Sequence, residues 1–260
     1  MSTSREPLDI DAIRAAAHGW RVDVIEVTGS TNADLLARAA AGEDIAGAVL
    51  LAEYQTAGRG RHGRHWSAPP RSQVAMSVGV DTTGIPTDIW GWLPLLAGVA
   101  VVETVREYAD AGLKWPNDIL VGDGKLGGVL SEVANTGVVV VGIGLNVSIT
   151  AGELPDPRAT SLELLGVSVD RTELAVKLLH ALASRVHRWR AASGADGDLA
   201  EAYRRYSLTI GTPVRAVLPG DTELRGTAVG VDEFGRLLID DGTAVVTVSA
   251  GDITHLRPGE

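Results

Sequence analysis

An unusual run of cationic and flexible residues occupies positions 58–66. Three glycines and three arginines fall within this segment, which ends on Trp66. Glycines let a backbone approach a ligand closely, guanidinium groups pair with carboxylates and phosphates, and an indole can stack on a flat ring. The composition therefore predicts a loop that binds an anion, and a solvated basic loop is the simpler alternative.

The glycine spacing of this loop is not accompanied by the features of the two common phosphate-binding motifs. The glycines have the spacing of a dinucleotide fingerprint and follow an apolar segment predicted to be a strand. That fingerprint must open a helix, whereas Pro69 and Pro70 follow here and oppose one. A P-loop would need a lysine and then a serine or threonine after its last glycine, where this sequence has Arg64 and His65. We therefore interpret the segment as an anion loop of another kind.

Two lysines lie near a predicted hairpin farther along the chain. Lys114 begins the run Lys-Trp-Pro-Asn-Asp, and the apolar strand that follows is predicted to turn at residues 122–124. Lys125 begins the return strand, where the glycines at 127–128 leave space for a ligand to lie on the sheet. A lysine beside a turn is normally solvated, but the neighbouring strand glycines favour a binding role.

Hydroxyl and amide side chains mark two further positions. Ser30 or Thr31 can cap the helix predicted from the following Ala- and Leu-rich run. With Asn32, they can also form a polar receptor for a ligand carbonyl or carboxylate, although the cap alone is the simpler interpretation. Asn146 lies in an otherwise apolar strand, so backbone or ligand must satisfy its amide if it is buried.

The elements that must position these groups alternate between strands and helices up to residue 207. Hydrophobic periodicity predicts strands at residues 21–27, 48–54, 73–80, 119–121, 125–132 and 137–147. It predicts helices at residues 10–17, 31–41, 91–109, 172–191 and 199–206. Short strands then follow at residues 214–218, 224–231, 236–239 and 244–248, with turns between them that include one at Pro219 and Gly220. This change from mixed strands and helices to short strands alone predicts a main domain at residues 1–207. It also predicts a small β-barrel domain at residues 208–260 that packs against the main domain.

Composition excludes several classes of protein. The chain of 260 residues has a net charge of -10, which opposes binding to nucleic-acid backbones and acidic membrane surfaces. It contains no cysteine, so disulfides and thiolate chemistry are absent. Residues 1–20 carry several charges and lack an apolar signal core, which predicts a cytoplasmic protein. The apolar segment 89–102 is too short to span a bilayer and contains Pro94, so we expect a buried helix there.

Five motifs, in order along the chain, resemble those of the biotin–protein ligases. They lie at residues 30–32, 58–63, 114–118, 125–130 and 142–146. The resemblance implies an α+β fold, with a mixed-sheet catalytic domain of the biotin/lipoate ligase (class II synthetase-like) type and a small C-terminal SH3-like β-barrel. It further implies that biotin and ATP first give biotinyl-5′-AMP and pyrophosphate, with Mg²⁺ on the phosphates. The acyl group then passes to a lysine of a carrier domain.

Residue roles follow from the same resemblance. It implies that biotin is bound by Ser30, Thr31, Asn32, Gln55, Arg59, Gly60, Arg61 and Lys125. It implies that ATP and the adenylate are bound by Arg61, Arg64, Trp66, Lys114, Asn117 and Asn146. The catalytic residues would be Lys125, Arg61 and Arg59, of which Lys125 is expected to matter most. No metal ligand is assigned with certainty, although Mg²⁺ bound to the ATP phosphates would lie near Asp118.

The resemblance also implies the partner, a biotin carboxyl carrier domain of an acyl-CoA carboxylase. Some family members carry an N-terminal winged-helix domain and act as repressors, but only about 20 residues precede the first predicted strand, so we expect no DNA partner. We expect no membrane partner, and either a monomer or a homodimer. The alternatives are a lipoate or octanoate ligase, a non-catalytic biotin-binding protein and a nucleic-acid-binding module.

Overall fold

The computed structural model describes residues 5–17, 19–135, 137–218, 222–249 and 251–256. A seven-stranded mixed sheet forms the centre of the main domain, in the order β1-β2-β3-β7-β6-β5-β4, with β1 and β2 parallel and the other neighbours antiparallel. Its strands are β1 (Arg21–Thr28), β2 (Ala48–Gln55), β3 (Gln73–Asp81), β4 (Ala111–Lys114), β5 (Asp118–Val121), β6 (Gly124–Asn135) and β7 (Val138–Asn146). Its helices are α1 (Ile10–Ala16), α2 (Thr31–Ala40), α3 (Trp92–Val105), α4 (Arg171–Ala191) and α5 (Gly197–Tyr206).

The alternating side chains of β3 show how the two faces of this sheet differ. Val74, Met76 and Val78 are completely buried and belong to the main core, which α3 and α4 complete. Gln73 and Ser77 alternate with them and therefore point to the opposite face. Helix α2 covers part of that second face, so the remainder is available for a site.

The C-terminal strands form a second, antiparallel sheet in the order β11-β10-β9-β8-β12. They are β8 (Pro213–Leu218), β9 (Thr222–Val231), β10 (Leu237–Asp240), β11 (Val245–Val248) and β12 (Asp252–His255). The small barrel rests against the start of α3 and the residue that follows β4. Trp92 Nε1 donates to the Glu233 carbonyl at 2.8 Å, and Trp115 Nε1 donates to the Gly235 carbonyl at 3.1 Å. The predicted contact between the barrel and the main domain is thereby confirmed.

Most predicted elements are present, with bounds shifted by at most three residues, but two strands were missed and one helix end is wrong. Strands β4 and β12 were not predicted, because each has four residues and depends on a distant partner. The helix predicted at residues 91–109 is wrong at its C-terminal end, since α3 stops at Val105 and a turn leads into β4. The turn predicted at Pro219 and Gly220 lies outside the described residues.

One segment among the described residues, Thr87–Val105, has the length and apolarity of a membrane-spanning helix. About two-thirds of it is buried inside the protein, where α3 packs against α4 and α5. Its apolar surface therefore serves the core, as the sequence predicted.

Candidate active site

The N-terminus of α2 forms one end of the candidate site. Ser30 is the N-cap residue and accepts a hydrogen bond from the Ala33 N–H, as predicted. Ser77 Oγ lies 2.6 Å from both Thr31 Oγ1 and Asn32 Oδ1. Because an amide oxygen can only accept, Ser77 is the donor to Asn32 Oδ1, and Thr31 Oγ1 is the donor to Gln55 Oε1 at 3.1 Å. The hydroxyl and amide groups of this helix end are thus fixed from the floor of the sheet.

Gln55, at the end of β2, faces the same helix end. Its Oε1 accepts from the Thr31 N–H at 2.9 Å, which fixes the orientation of the amide. Its Nε2 makes no hydrogen bond within the described part of the chain. That nitrogen is a donor left available for a ligand oxygen beside Thr31.

The loop at residues 58–66 folds back on itself. The Trp66 N–H donates to the Gly58 carbonyl at 2.9 Å and the Gly60 N–H to the Arg64 carbonyl at 2.7 Å. A Cβ at Gly58 would lie 2.3 Å from the Trp66 carbonyl oxygen, so only glycine permits this closure. The turn at its tip contains His62, whose φ of 56° lies in the left-handed region. The loop is therefore a defined hairpin-like structure that presents its arginines outward from a compact backbone.

Two glycines of β7 form the floor beneath these groups. A Cβ at Gly142 would lie 2.2 Å from Asn32 Oδ1, and a Cβ at Gly144 would lie 2.5 Å from Trp66 Cε2. Residues two apart on a strand point to the same face and lie about 7 Å apart. Glycines at these positions therefore seat the start of α2 and the loop tryptophan side by side on the sheet.

Trp66 is fixed in its place by polar contacts. Its Nε1 donates to Gln73 Oε1 at 2.6 Å, and Lys125 Nζ lies 5.7 Å from the centre of its ring. Two residues beyond Gly144 on the same face, Asn146 donates from Nδ2 to the Thr160 carbonyl at 2.9 Å. Its Oδ1 is buried and has no hydrogen-bond partner among the described residues. A flat ring stacked on Trp66 would find this acceptor nearby.

Three cationic side chains of the site are each paired with a carboxylate from a different strand. Lys125 Nζ lies 2.5 Å from Asp118 Oδ1, and Arg59 Nη2 lies 3.0 Å from Glu132 Oε2. Arg64 pairs with Asp252 of β12, in the C-terminal barrel. An incoming carboxylate or phosphate can exchange with these acids, so the cations are held in place without being permanently neutralised.

The other two cations are partly buried. Arg61 Nη1 lies 3.5 Å from the Gly251 carbonyl, and burial lowers the pKa of Arg61, opposed by the charges of Asp252 and Asp118. Burial likewise lowers the pKa of Lys114. A group whose charged form is poorly solvated gains more from an anionic ligand, which would return each pKa toward its ordinary value.

Between the sheet and the barrel lies a cavity of about 360 Å³. Its lining includes Arg61, Asn117, Leu130, Ser131, Phe234 and Arg236. Asn117 is fixed at its edge, since Nδ2 donates to the Val129 carbonyl at 2.8 Å and its own carbonyl accepts from the Val129 N–H at 2.9 Å. The amide of Asn117 thus ties the turn before β5 to β6.

No group of three or more His, Asp or Glu side chains with the geometry of a metal site occurs among the described residues. The oxygens that could serve a cation arriving with a nucleotide are the Asp118 carboxylate and the unpartnered Asn146 Oδ1. Both are hard oxygen donors of the kind that Mg²⁺ prefers when phosphates complete its shell. The donor set therefore fits Mg²⁺ bound mainly by phosphate.

Four residues that organise this site were not predicted from the sequence. Ser77 and Gln73 are polar positions at even spacing in an apolar strand, a signal that could have shown that one face of β3 is not core. Glu132 and Asp252 pair with loop arginines more than 70 and 180 positions away. No local pattern indicates such partners, so only the folded chain identifies them.

Comparison with known proteins gives two family matches. Residues 24–149 match the biotin/lipoate A/B protein ligase family, and residues 209–256 match the biotin protein ligase C-terminal domain. Together these matches include the five motifs, the sheet that carries them and the small SH3-like barrel. The predicted fold class is confirmed.

Individual relatives extend this match along the whole chain. A biotin–[acetyl-CoA-carboxylase] ligase of Mycobacterium tuberculosis is 52% identical over 97% of each chain, and the bifunctional ligase/repressor BirA of Escherichia coli is 31% identical over 97% of this chain and 79% of its own. The biotin protein ligase of Aquifex aeolicus, solved in complex with biotin and ATP, superposes with a TM-score of 0.75 at 27% identity, covering 91% of this chain and 99% of its own. Because identity and fold agree along nearly the full length, the chain belongs to the biotin protein ligase family.

Proposed function

We propose that this protein is an ATP-dependent ligase that activates biotin as biotinyl-5′-AMP and transfers it to a lysine of a biotin carboxyl carrier protein. The observation that carries the proposal is the shared floor at Gly142 and Gly144. It sets a polar pocket end, at Asn32, about 7 Å from an aromatic platform, at Trp66. A substrate acid in the first subsite and a nucleotide on the second would meet between them.

The charges around this floor suit the first step. A carboxylate oxygen of biotin attacks the α-phosphorus of ATP, the bond from that phosphorus to the bridging oxygen breaks, and pyrophosphate leaves. Two anions must approach each other, so cationic donors lower the barrier by offsetting their repulsion. We assign this role to Lys125, Arg59 and Arg61. Lys114 and Arg64 would hold the phosphates.

The second step needs a different environment. The neutral amine of the carrier lysine attacks the acyl carbon, AMP departs with the electrons of the acyl–phosphate bond, and the amine proton is lost to solvent or phosphate. Water must be kept from the mixed anhydride until the carrier arrives. The loop at residues 58–66, closed on itself and tied to the barrel by Arg61 and Arg64, is the element that we expect to shield it.

Mg²⁺ supplies charge neutralisation on the ATP phosphates when it is bound. Asp118 and Asn146 are the residues that would hold it, and Asp118 would then release Lys125 toward the reacting groups. We assign adenine to Trp66, with Asn117 shaping the neighbouring turn. The biotin contacts are assigned to Ser30, Thr31, Gln55 and Gly60.

The carrier partner, the cytoplasmic location, the absence of a DNA partner and the choice between monomer and homodimer also belong to the proposal. The relative from Mycobacterium tuberculosis, which is named for acetyl-CoA carboxylase, supports the assignment of the carrier. The division into a catalytic domain at residues 1–207 and a barrel at residues 208–260 is supported by the two separate sheets.

Mass spectrometry of a carrier domain tests the proposal. The carrier is incubated with the protein, ATP, Mg²⁺ and biotin, and a parallel reaction contains lipoate. We expect one biotin-sized mass increase on the carrier lysine and none with lipoate. Modification by lipoate alone would reassign the substrate, and no modification of several carriers by a folded protein would overturn the ligase assignment.

A further inference from the structure

One carboxylate, that of Glu132, joins the two parts of the site that come from distant segments. Its Oε2 accepts from Asn32 Nδ2 at 2.8 Å and from Arg59 Nη2 at 3.0 Å. Asn32 belongs to α2 and Arg59 to the 58–66 loop, while Glu132 lies on β6, in register with Val140 of β7. A rigid central strand therefore holds both the start of the helix and the start of the loop.

An exposed ion pair contributes little by itself, because both side chains lose conformational freedom and water screens them. Here Asn32 is 4% exposed, and its amide is otherwise saturated by the Leu130 carbonyl at 3.1 Å and by Ser77 at 2.6 Å. The acceptor oxygen of Glu132 is therefore already fixed before Arg59 reaches it. Such a preorganised acceptor positions a guanidinium better than a free surface carboxylate does.

We propose that Glu132 is a positioning residue for the ligand loop, which sets Arg59 over the biotin end of the site through the buried amide of Asn32. This inference rests on the proposed function. Glu132 itself touches no reacting atom. Its loss would leave Arg59 and the loop to be ordered by biotin, so binding of biotin would weaken while the transfer chemistry continued.

Steady-state pyrophosphate release by the full chain, with saturating carrier domain to consume the adenylate, tests this role. For Glu132→Ala we expect the KM for biotin to rise about tenfold, the change that follows from losing one charge-assisted contact. The KM for ATP should change by less than about twofold, since Glu132 contacts neither Trp66 nor Lys125, whereas kcat should also fall, because Arg59 serves the first chemical step as well. Glu132→Gln keeps an acceptor for Asn32 but loses the charge opposite Arg59, so its biotin KM should lie between those of wild type and Glu132→Ala.

A double-mutant cycle separates positioning from general destabilisation. In an Arg59→Ala background, Glu132→Ala should add little to the biotin KM, because the contact it serves is already gone. Hydrogen exchange of residues 58–66 should also become faster in Glu132→Ala while β9 is unchanged. Glu107→Ala, which removes an exposed partner of Lys177 on another face, serves as the matched control and should leave both readings at wild-type values.

The outcomes are distinguishable from failure of the proposed function. Pyrophosphate release by wild type that does not depend on biotin would overturn the function and this inference together. Biotin-dependent release with an unchanged biotin KM in Glu132→Ala, or an equal rise for biotin and ATP, would overturn only the positioning role. Additive effects in the Arg59→Ala background would also overturn it.

Discussion

Lys125 reaches the site because its backbone is fixed on the side away from β5. Its N–H donates to the Arg158 carbonyl at 2.6 Å, and its carbonyl accepts from the Thr160 N–H at 2.9 Å. The side chain then extends to Asp118 and over the ring of Trp66. The backbone of Lys125 is thus fixed, and the contacts of its flexible side chain direct the ammonium group into the site.

Replacement of this lysine tests its role in adenylate formation. Lys125→Ala should reduce biotin-dependent pyrophosphate release about 100-fold or more, because a donor aimed at the developing charge is lost. Thermal unfolding should stay close to wild type, since the removed pair with Asp118 is partly exposed. Lys177→Ala, on α4, is the control for loss of a partly exposed, ion-paired lysine away from the site. Near-normal turnover of Lys125→Ala would refute the assignment.

Arg61 is expected to help the loop at residues 58–66 retain the adenylate intermediate. Arg61→Gly removes a half-buried cation and its contact with the Gly251 carbonyl, so the loop should shield the adenylate less well. We expect released adenylate to label lysines of an unrelated protein such as albumin, read by streptavidin blotting. Arg158→Ala, which removes an exposed side chain beside the site and keeps the backbone carbonyl that holds Lys125, is the control. Unchanged retention of the adenylate would contradict this role.

At the scale of elements, β7 brings two ligand subsites together through its two glycines. Asn32 and Trp66 lie on α2 and on the loop, 34 positions apart in sequence, yet each fills the space of one missing Cβ on the same strand face. The spacing of the glycines therefore sets the spacing of the subsites.

This arrangement predicts separable effects of two alanine substitutions. Gly142→Ala should displace Asn32 and raise the KM for biotin, whereas Gly144→Ala should displace Trp66 and raise the KM for ATP, each by about tenfold or more, as for about 1.4 kcal/mol of lost binding. Gly152→Ala, where a Cβ meets nothing within 4 Å, is the control. Equal effects of the two substitutions on both substrates would show that the floor does not separate the subsites.

The segment that follows β7 is held by Arg5, in the irregular N-terminal segment that precedes α1. Arg5 Nη2 donates to the Ser148 carbonyl and to Glu153 Oε2, both at 2.6 Å, and the Thr150 N–H donates to the same carboxylate at 3.0 Å. These hydrogen bonds, that from Arg5 first, lower the pKa of Glu153 from 4.5 to about 2. The segment leading from Asn146 is thereby held against the body of the protein.

A pH dependence of stability follows from this shift. Since the folded pKa is below the unfolded value, the stabilisation is present above pH 4.5 and is lost as the pH falls from 4.5 toward 2. Glu153→Gln should lower the urea midpoint at pH 7, and the difference from wild type should shrink steadily over that acid range. Glu163→Gln, whose side chain makes no ion pair among the described residues, is the control. A difference that stays constant down to pH 2 would refute this linkage.

At the scale of the whole molecule, the barrel and the main domain share the ligand loop. Arg64 pairs with Asp252, and Arg61 contacts the Gly251 carbonyl, so two loop arginines are held from β12 and the residue before it. On the opposite side of the sheet, a buried charge pair joins β2 to α4, since Glu53 lies 2.8 Å from Arg171.

This buried pair predicts the largest stability effect of a single polar substitution. Glu53 is 2% exposed and also accepts from the Leu8 N–H, so Glu53→Ala leaves Arg171 charged and uncompensated in the core. We expect the free energy of unfolding in urea to fall by about 3–5 kcal/mol. Glu201→Ala, which breaks an exposed pair with Arg205, should change it by less than about 0.5 kcal/mol. Equal losses would show that Arg171 finds another partner.

The sequence by itself determined most of the elements and the family. Hydrophobic periodicity located the strands from β1 to β3 and the helices α2 and α4, and Ser30 was identified as a cap, because these signals depend on near neighbours in the chain. The five ordered motifs identified the family because catalysis constrains residue type at each position, independently of how the motifs meet. Even the short barrel strands β8 to β11 were predicted from their turns.

Tertiary structure alone decided how these parts face one another. The four-residue strands β4 and β12 exist through pairing with distant strands, and the pairing of Glu132 and Asp252 with loop arginines spans most of the chain. The seats at Gly142 and Gly144 depend on which side chain approaches the missing Cβ. Such contacts form between groups whose separation in sequence carries no periodic signal, so their identity follows only from the folded sheet.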